Sequence, residues 1–184
     1  MRKWALFFLS IFIMVTGCSY EETMLNTPTK KVEMFFANYQ TLNDQVMDDL
    51  DKVVKEEERF NTKQREEYLE LMKKHYQSIQ YDVKDESING DEADVRVEIE
   101  VTDYSKILEE AENELKEHRD EFLNEIGEYS ETKYMDYRLE KLKEADETVK
   151  YDMTFHLTKK DNEWEMDPLT EEQEQKIHGM YDYD

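Results

Sequence analysis

Cysteine is almost absent from this chain: Cys18 is the one example in 184 residues. A single thiol excludes an internal disulfide framework and a thiolate metal cluster. Glycine and proline are also scarce, at four and two. No glycine-rich phosphate loop and no Gly/Ser linker can be built from so few. Serine after residue 18 is confined to Ser19, Ser78, Ser87, Ser105 and Ser130. None sits in a Gly-x-Ser-x-Gly elbow or beside a histidine in a nucleophilic arrangement. Positive charge is short as well, with 24 Lys and Arg against 47 Asp and Glu and a net charge of −23. That balance argues against nucleic acid, whose binding depends on neutralising phosphates. It equally argues against lying flat on an anionic membrane surface. Finally, no apolar run approaches the ~20 residues of a membrane-spanning helix.

The longest apolar run is Trp4 to Val15, behind the basic pair Arg2 and Lys3 and ahead of Val15-Thr16-Gly17-Cys18. Basic, apolar and small residues in that order form an export signal rather than part of a fold. An Ala-x-Ala-like cut site, as a plain secretory signal would carry, is missing. The end of the run resembles the lipobox of bacterial lipoproteins, with Val15 where leucine is commonest. The resemblance implies cleavage between Gly17 and Cys18 and a diacylglycerol on Cys18. The expected organisation is a removed signal over 1–17, a lipidated tether over 18–27 and one domain over 28–184. The expected location is the outer, extracytoplasmic face of the cell membrane, held by lipid and acylated as palmitate-labelled lipoproteins are. Two or more acyl chains suffice for stable anchoring without a basic patch.

Loss of residues 1–17 removes Arg2 and Lys3 and takes the net charge from −23 to −25. Acidity of this degree is a disorder signal when aromatics are few. Here there are 12 Tyr, 8 Phe and 2 Trp in clear periodic patterns, so a folded domain with solvated acidic faces is expected.

Thr27-Pro28 reads as a cap followed by proline at the first helical position. Val32, Phe35, Phe36, Tyr39, Leu42, Val46, Leu50 and Val53 then recur at helical spacing and predict one helix over about 28–57. Asn61 with Gln64 forms a capping-box pattern and opens a second helix through Tyr68, Leu69, Met72 and Tyr76. At Ile79 the period changes to two. Ile79, Tyr81 and Val83 pair with Val95, Val97, Ile99 and Val101 across the turn Asn89-Gly90, a hairpin with one apolar face. Leu108, Ala111, Leu115, Phe122 and Ile126 predict a helix ending near Gly127, and Met135, Leu139 and Leu142 predict another over 131–146. A second hairpin runs through Val149, Tyr151, Met153, Phe155 and Leu157, turns at Lys160-Asp161-Asn162 and returns through Trp164 and Met166. Thr170 with Gln173 caps a short last helix, and the end at Tyr181-Asp182-Tyr183-Asp184 is expected to fray. These elements predict an α+β class: an antiparallel sheet of about four strands in two hairpins, covered on one face by helices.

Three stretches carry a family resemblance. They are Pro28-Thr-Lys-Lys-Val-Glu-Met-Phe-Phe36, Asn89-Gly90-Asp-Glu-Ala-Asp-Val-Arg-Val97 and Lys159-Lys-Asp-Asn-Glu-Trp164. With the lipobox, they make the mature chain resemble the extracytoplasmic lipoproteins of low-GC Gram-positive bacteria built on the nuclear-transport-factor-two-like (cystatin-like) fold. The resemblance implies a cone-like domain, and the insert at 104–146 exceeds what the simplest members of that fold need. It implies no task, since the fold hosts enzymes and binding modules alike.

Asp85-x-Ser87-x-Asn89-Gly90 imitates the opening of a calcium loop, but Arg96 stands where a bidentate glutamate is required, so a hairpin turn is expected. His75, His118, His156 and His178 fall on different elements, and none are spaced i, i+4 as helical zinc ligands are. His118 lies on an apolar stripe and reads as a hydrogen-bonded core histidine. Among the many carboxylates, Asp82, Glu98 and Asp152 on strand faces are the candidates for burial in the mouth of the sheet. Tyr residues and Trp164 read as core and rim packing ahead of an aromatic binding wall. No cofactor, metal or catalytic residue is expected. The expected function is a non-enzymatic binding or assembly module of the envelope, with an envelope protein, peptide or glycan as partner. The alternative is small-ligand binding, or proton transfer by a carboxylate inside the cone.

Overall fold

The computed structural model describes residues 26–181. The expected signal, Gly17, Cys18, most of the tether and the last three residues lie outside them. Among the described residues no helix is long and apolar enough to cross a membrane.

Helix α1 (Pro28–Gln40) starts where the sequence places it: the Thr27 hydroxyl accepts from Lys30 N–H at 3.1 Å, with Pro28 in the first turn. Asn26 pins the entry, donating to Asn162 C=O (2.7 Å) and accepting from Trp164 N–H (2.9 Å). The expected continuous helix to 57 is two helices. The Thr41 hydroxyl donates to Ala37 C=O, Leu42 turns into the left-handed region at φ 52°, and the Asn43 side chain caps α2 (Asp44–Glu56). Thr and Asn side chains compete for backbone groups and favour such breaks. The apolar spacing Leu42, Val46, Leu50 runs straight through the junction and hides it.

Helix α3 (Thr62–Ser78) carries the capping box Asn61–Gln64 as read. Strands β1 (Gln80–Asn89) and β2 (Glu92–Thr102) form the first hairpin, with a bulge between Val83 and Asp85. Helix α4 (Ser105–Glu117) follows, then a 3₁₀ turn at Arg119–Phe122, α5 (Glu131–Glu144), β3 (Thr148–Lys160), β4 (Glu163–Met166) and α6 (Glu171–Ile177). The helix expected to reach Gly127 stops nine residues earlier, at His118. Asn124 accepts from Ile126 and Glu128 N–H in an Asx-type turn, and Ile126 is 77% exposed. Phe122 leaves the stripe to join a small separate cluster with Tyr134 and Met135.

The sheet is antiparallel in the order β1-β2-β3-β4. In register, Val95 faces Phe155, Val97 faces Met153 and Ile99 faces Tyr151, and all of these are buried. Helices α1, α3 and α6 pack on this face, and α2 and α5 pack on α3. The α+β reading therefore holds. Phe36 is the hinge of the packing, stacked on Tyr81 (4.7 Å between ring centroids) and edge-on to Phe155 (5.5 Å). The other face of the sheet is polar and solvated.

Candidate functional site

Helix α2 offers Val46, Leu50 and Val53 from one stripe, with Asp49 beside them. It leans over α3, which presents Tyr68, Met72 and Tyr76. A cleft of about 380 Å³ lies between α2 and the C-terminal segment, closed by Tyr39 from α1 and by Glu174, His178 and Met180. Its floor is apolar, with Leu50 and Met72 buried, while the carboxylates Asp49 and Glu174 are exposed at the mouth.

The wall is fixed by aromatic contacts. Tyr39 and Tyr76 meet edge to face at 4.9 Å, and Tyr76 Oη is hydrogen-bonded to His178 Nδ1 at 3.2 Å. Behind it, His75 Nε2–H donates to Ile177 C=O at 2.8 Å, which assigns the tautomer and leaves buried Nδ1 without a partner. Burial holds both imidazoles neutral. It pushes His178 down to about 4, with His75 adding to the effect, and lowers His75 as well. Burial likewise raises the Tyr39 phenol to about 12, helped by Glu174 and Asp49, and raises Tyr68 to about 12 and Tyr76 further. At neutral pH the wall is thus uncharged and the mouth is negative. A histidine at about 4 is a weak base at pH 7, far from the match that proton transfer favours.

No family model, curated protein or solved structure matches this chain.

A second cavity of about 100 Å³ lies beyond Val53, Tyr68 and Met180, with Glu57, Arg59 and Arg138 in its lining. Arg59 grips Glu57 through two nitrogens (2.9 and 2.7 Å) and holds that carboxyl down at about 2.

The residues singled out in the sequence go elsewhere. Asp82, Glu98 and Asp152 do meet, in one rung across β1, β2 and β3, but on the solvated face and not in an enclosed mouth. Lys84 bridges Asp82 and Glu98, and Lys150 reaches Glu98. The inward positions of those strands belong to the alternating Val, Ile, Met and Phe set, which forces the acids outward. His118 is exposed and pairs with Glu114 at 2.8 Å, because its helix ends there. The core histidine is His75, at 2% exposed. His156 pairs with Asp94 on the outer sheet face. Asp85 sits in β1 opposite Arg96, as a strand and not a calcium loop. Among the described residues, no three His, Cys, Asp or Glu are grouped to hold a metal ion. Trp164 is core, and among the described residues Tyr39, Tyr68 and Tyr76 are the tyrosines that line the cleft. Asp49 and Glu174 were legible as solvated acids; their common position needs the approach of α6 to α2, which no local pattern encodes.

Proposed function

We propose that this chain is a lipoprotein held on the extracytoplasmic face of the cell membrane through Cys18, with its domain acting as a non-enzymatic binding or assembly module. The observation that carries the anchoring is Val15-Thr16-Gly17-Cys18 at the close of a 12-residue apolar run behind Arg2 and Lys3. The resemblance to nuclear-transport-factor-two-like lipoproteins agrees with the α+β class, and an envelope protein, peptide or glycan is the partner class we expect for such a module. Support for a binding role over catalysis comes from the packing. The space between sheet and helices is filled by Phe36, Phe155, Met72 and Ile99, and Asp82, Glu98 and Asp152 lie on the solvated sheet face.

The test of the anchor is metabolic labelling with palmitate. Wild-type chain should take up label and fractionate with membranes, and Cys18→Ala should lose both. Equal labelling of the Cys18→Ala chain sinks the anchor assignment. Small-ligand binding is the second reading, and the cleft beside α2 is the observation that favours it.

A further inference from the structure

We propose that the cleft between α2 and the 174–180 segment binds an organic ammonium: a protonated amine on an aliphatic stem, stem inward and charge at the mouth. The inference deepens the binding-module reading and rests on it, but is independent of the lipid anchor.

The cleft is amphipathic in depth. Leu50 and Met72 line its interior, and Asp49 and Glu174 stand at the opening on different helices. Neither acid makes an ion pair with a described residue, although Asp49 accepts from the Gln45 amide at 3.0 Å. The closest lysine in sequence, Lys176, is engaged with Glu172 and lies 4.8 Å from the Tyr181 ring, so it does not neutralise the mouth. No lysine or arginine lines the cleft among the described residues. The half-buried Tyr39 ring, held edge to face against Tyr76, gives the wall an aromatic surface of the kind that attracts ammonium groups. Burial chiefly, with Glu174 and Asp49 adding to it, disfavours ionisation of Tyr39, so that ring stays neutral beside the two carboxylates. An anionic head would be repelled there. A bare metal ion would find two separated carboxylates and no third ligand. An apolar stem gains from the floor, and at about 380 Å³ the cleft falls within the ~300–1,000 Å³ range of small-ligand sites.

The ammonium could be a free alkylamine or a lysine side chain, and both present the same chemistry. Calorimetric titration of the full-length chain in maltoside micelles, against a blank of empty micelles, separates the cases. The probes are n-hexylammonium chloride, hexan-1-ol and Nα-acetyl-lysine amide. Hexylammonium should bind about tenfold tighter than hexanol, and Asp49→Asn with Glu174→Gln should remove that advantage. Glu109→Gln with Glu112→Gln changes net charge equally at a remote site and should alter affinity less than about twofold. Val46→Trp, which fills the cleft, should abolish binding of both probes. Acetyl-lysine amide matching hexylammonium supports a peptide source, and a weaker response supports a free amine. Equal weakening by the two double variants would assign the effect to the general acidic field and overturn the proposal. Equal affinity for hexanol and hexylammonium would overturn the cation assignment while leaving a binding cleft. No binding of either probe would overturn the cleft as a ligand site, and the palmitate experiment would still judge the anchored module.

Discussion

Gly179 sits at φ +66°, and a Cβ there would lie 2.0 Å from the Thr102 carbonyl oxygen. Its own carbonyl accepts from Tyr104 N–H (2.8 Å) and Ser105 N–H (3.1 Å), so the backbone is clamped on both sides. Gly90 has the same φ of +66° but open space around its Cβ position. The pair separates left-handed strain from steric clash. Gly90→Ala should cost ~1–2 kcal/mol, and Gly179→Ala should cost at least ~2 kcal/mol more, because backbone must move. Urea midpoints measure both, and equal losses would contradict the clamp. The histidines nearby make stability pH-dependent. A histidine in the unfolded chain titrates near ~6.5, while His178 in the fold is pushed down to about 4 by burial and by His75. Between those values the unfolded chain binds more protons than the folded one. The contribution is complete above pH ~6.5 and drains away as pH falls through 4. Glu57, held at about 2 by Arg59, loses its contribution in a lower window, from ~4.5 downward. Stability should therefore fall between pH 7 and 4.5, and His178→Gln should flatten that slope. An unchanged slope would mean that His178 is not the titrating group.

Among the elements, α1 is the one whose packing was most legible. Adjacent phenylalanines, one turn after Val32, promised a helix face against the valine-rich strand, and Phe36 does insert between Tyr81 and Phe155. Phe35 is only half-buried, touching Tyr39 and Phe155. Phe36→Ala should cost ~3–5 kcal/mol, and Phe35→Ala clearly less. Thermal melts that rank them the other way would refute this orientation of α1. Strand positions, both turns and both capping boxes were readable because each is written in local spacing. The break at Leu42 was not, since the apolar period continues through it and the deciding residues, Thr41 and Asn43, look like ordinary helix-surface residues. Nor was the end of α4 at His118, since Leu115 and Phe122 keep the period across it and pack in the same small cluster. The cleft was hidden for a different reason. Its parts come from α1, α2, α3 and the C-terminal segment, and sequence spacing carries no information on how four separate elements converge. His75 and His178 lie 103 positions apart and flank one tyrosine, Tyr76.

At the scale of the molecule, the two ends of the described chain are both built into structure. Asn26 is bonded to Asn162 and Trp164, and α1 packs on β4. Ile177 is fully buried, and its carbonyl accepts a hydrogen bond from His75 Nε2–H. The first helix of the fold therefore waits for its last strand, across 136 and 138 residues of sequence. Closing such a long loop costs entropy that local helix formation cannot repay. A nascent chain delivers residues at ~5–20 per second, so several seconds separate the appearance of α1 from that of β4. During that interval Phe36 has its stack on Tyr81 within reach but neither β4 nor the C-terminal closure. The chain should stay pliable until it is nearly complete, which is the condition that the export proposed for this chain would demand. Chains ending at residue 160 should accordingly be digested by low protease at the rate of unfolded protein, whereas chains ending at 181 resist. Protection of the shorter chain would show that α1 and the first hairpin hold together without waiting.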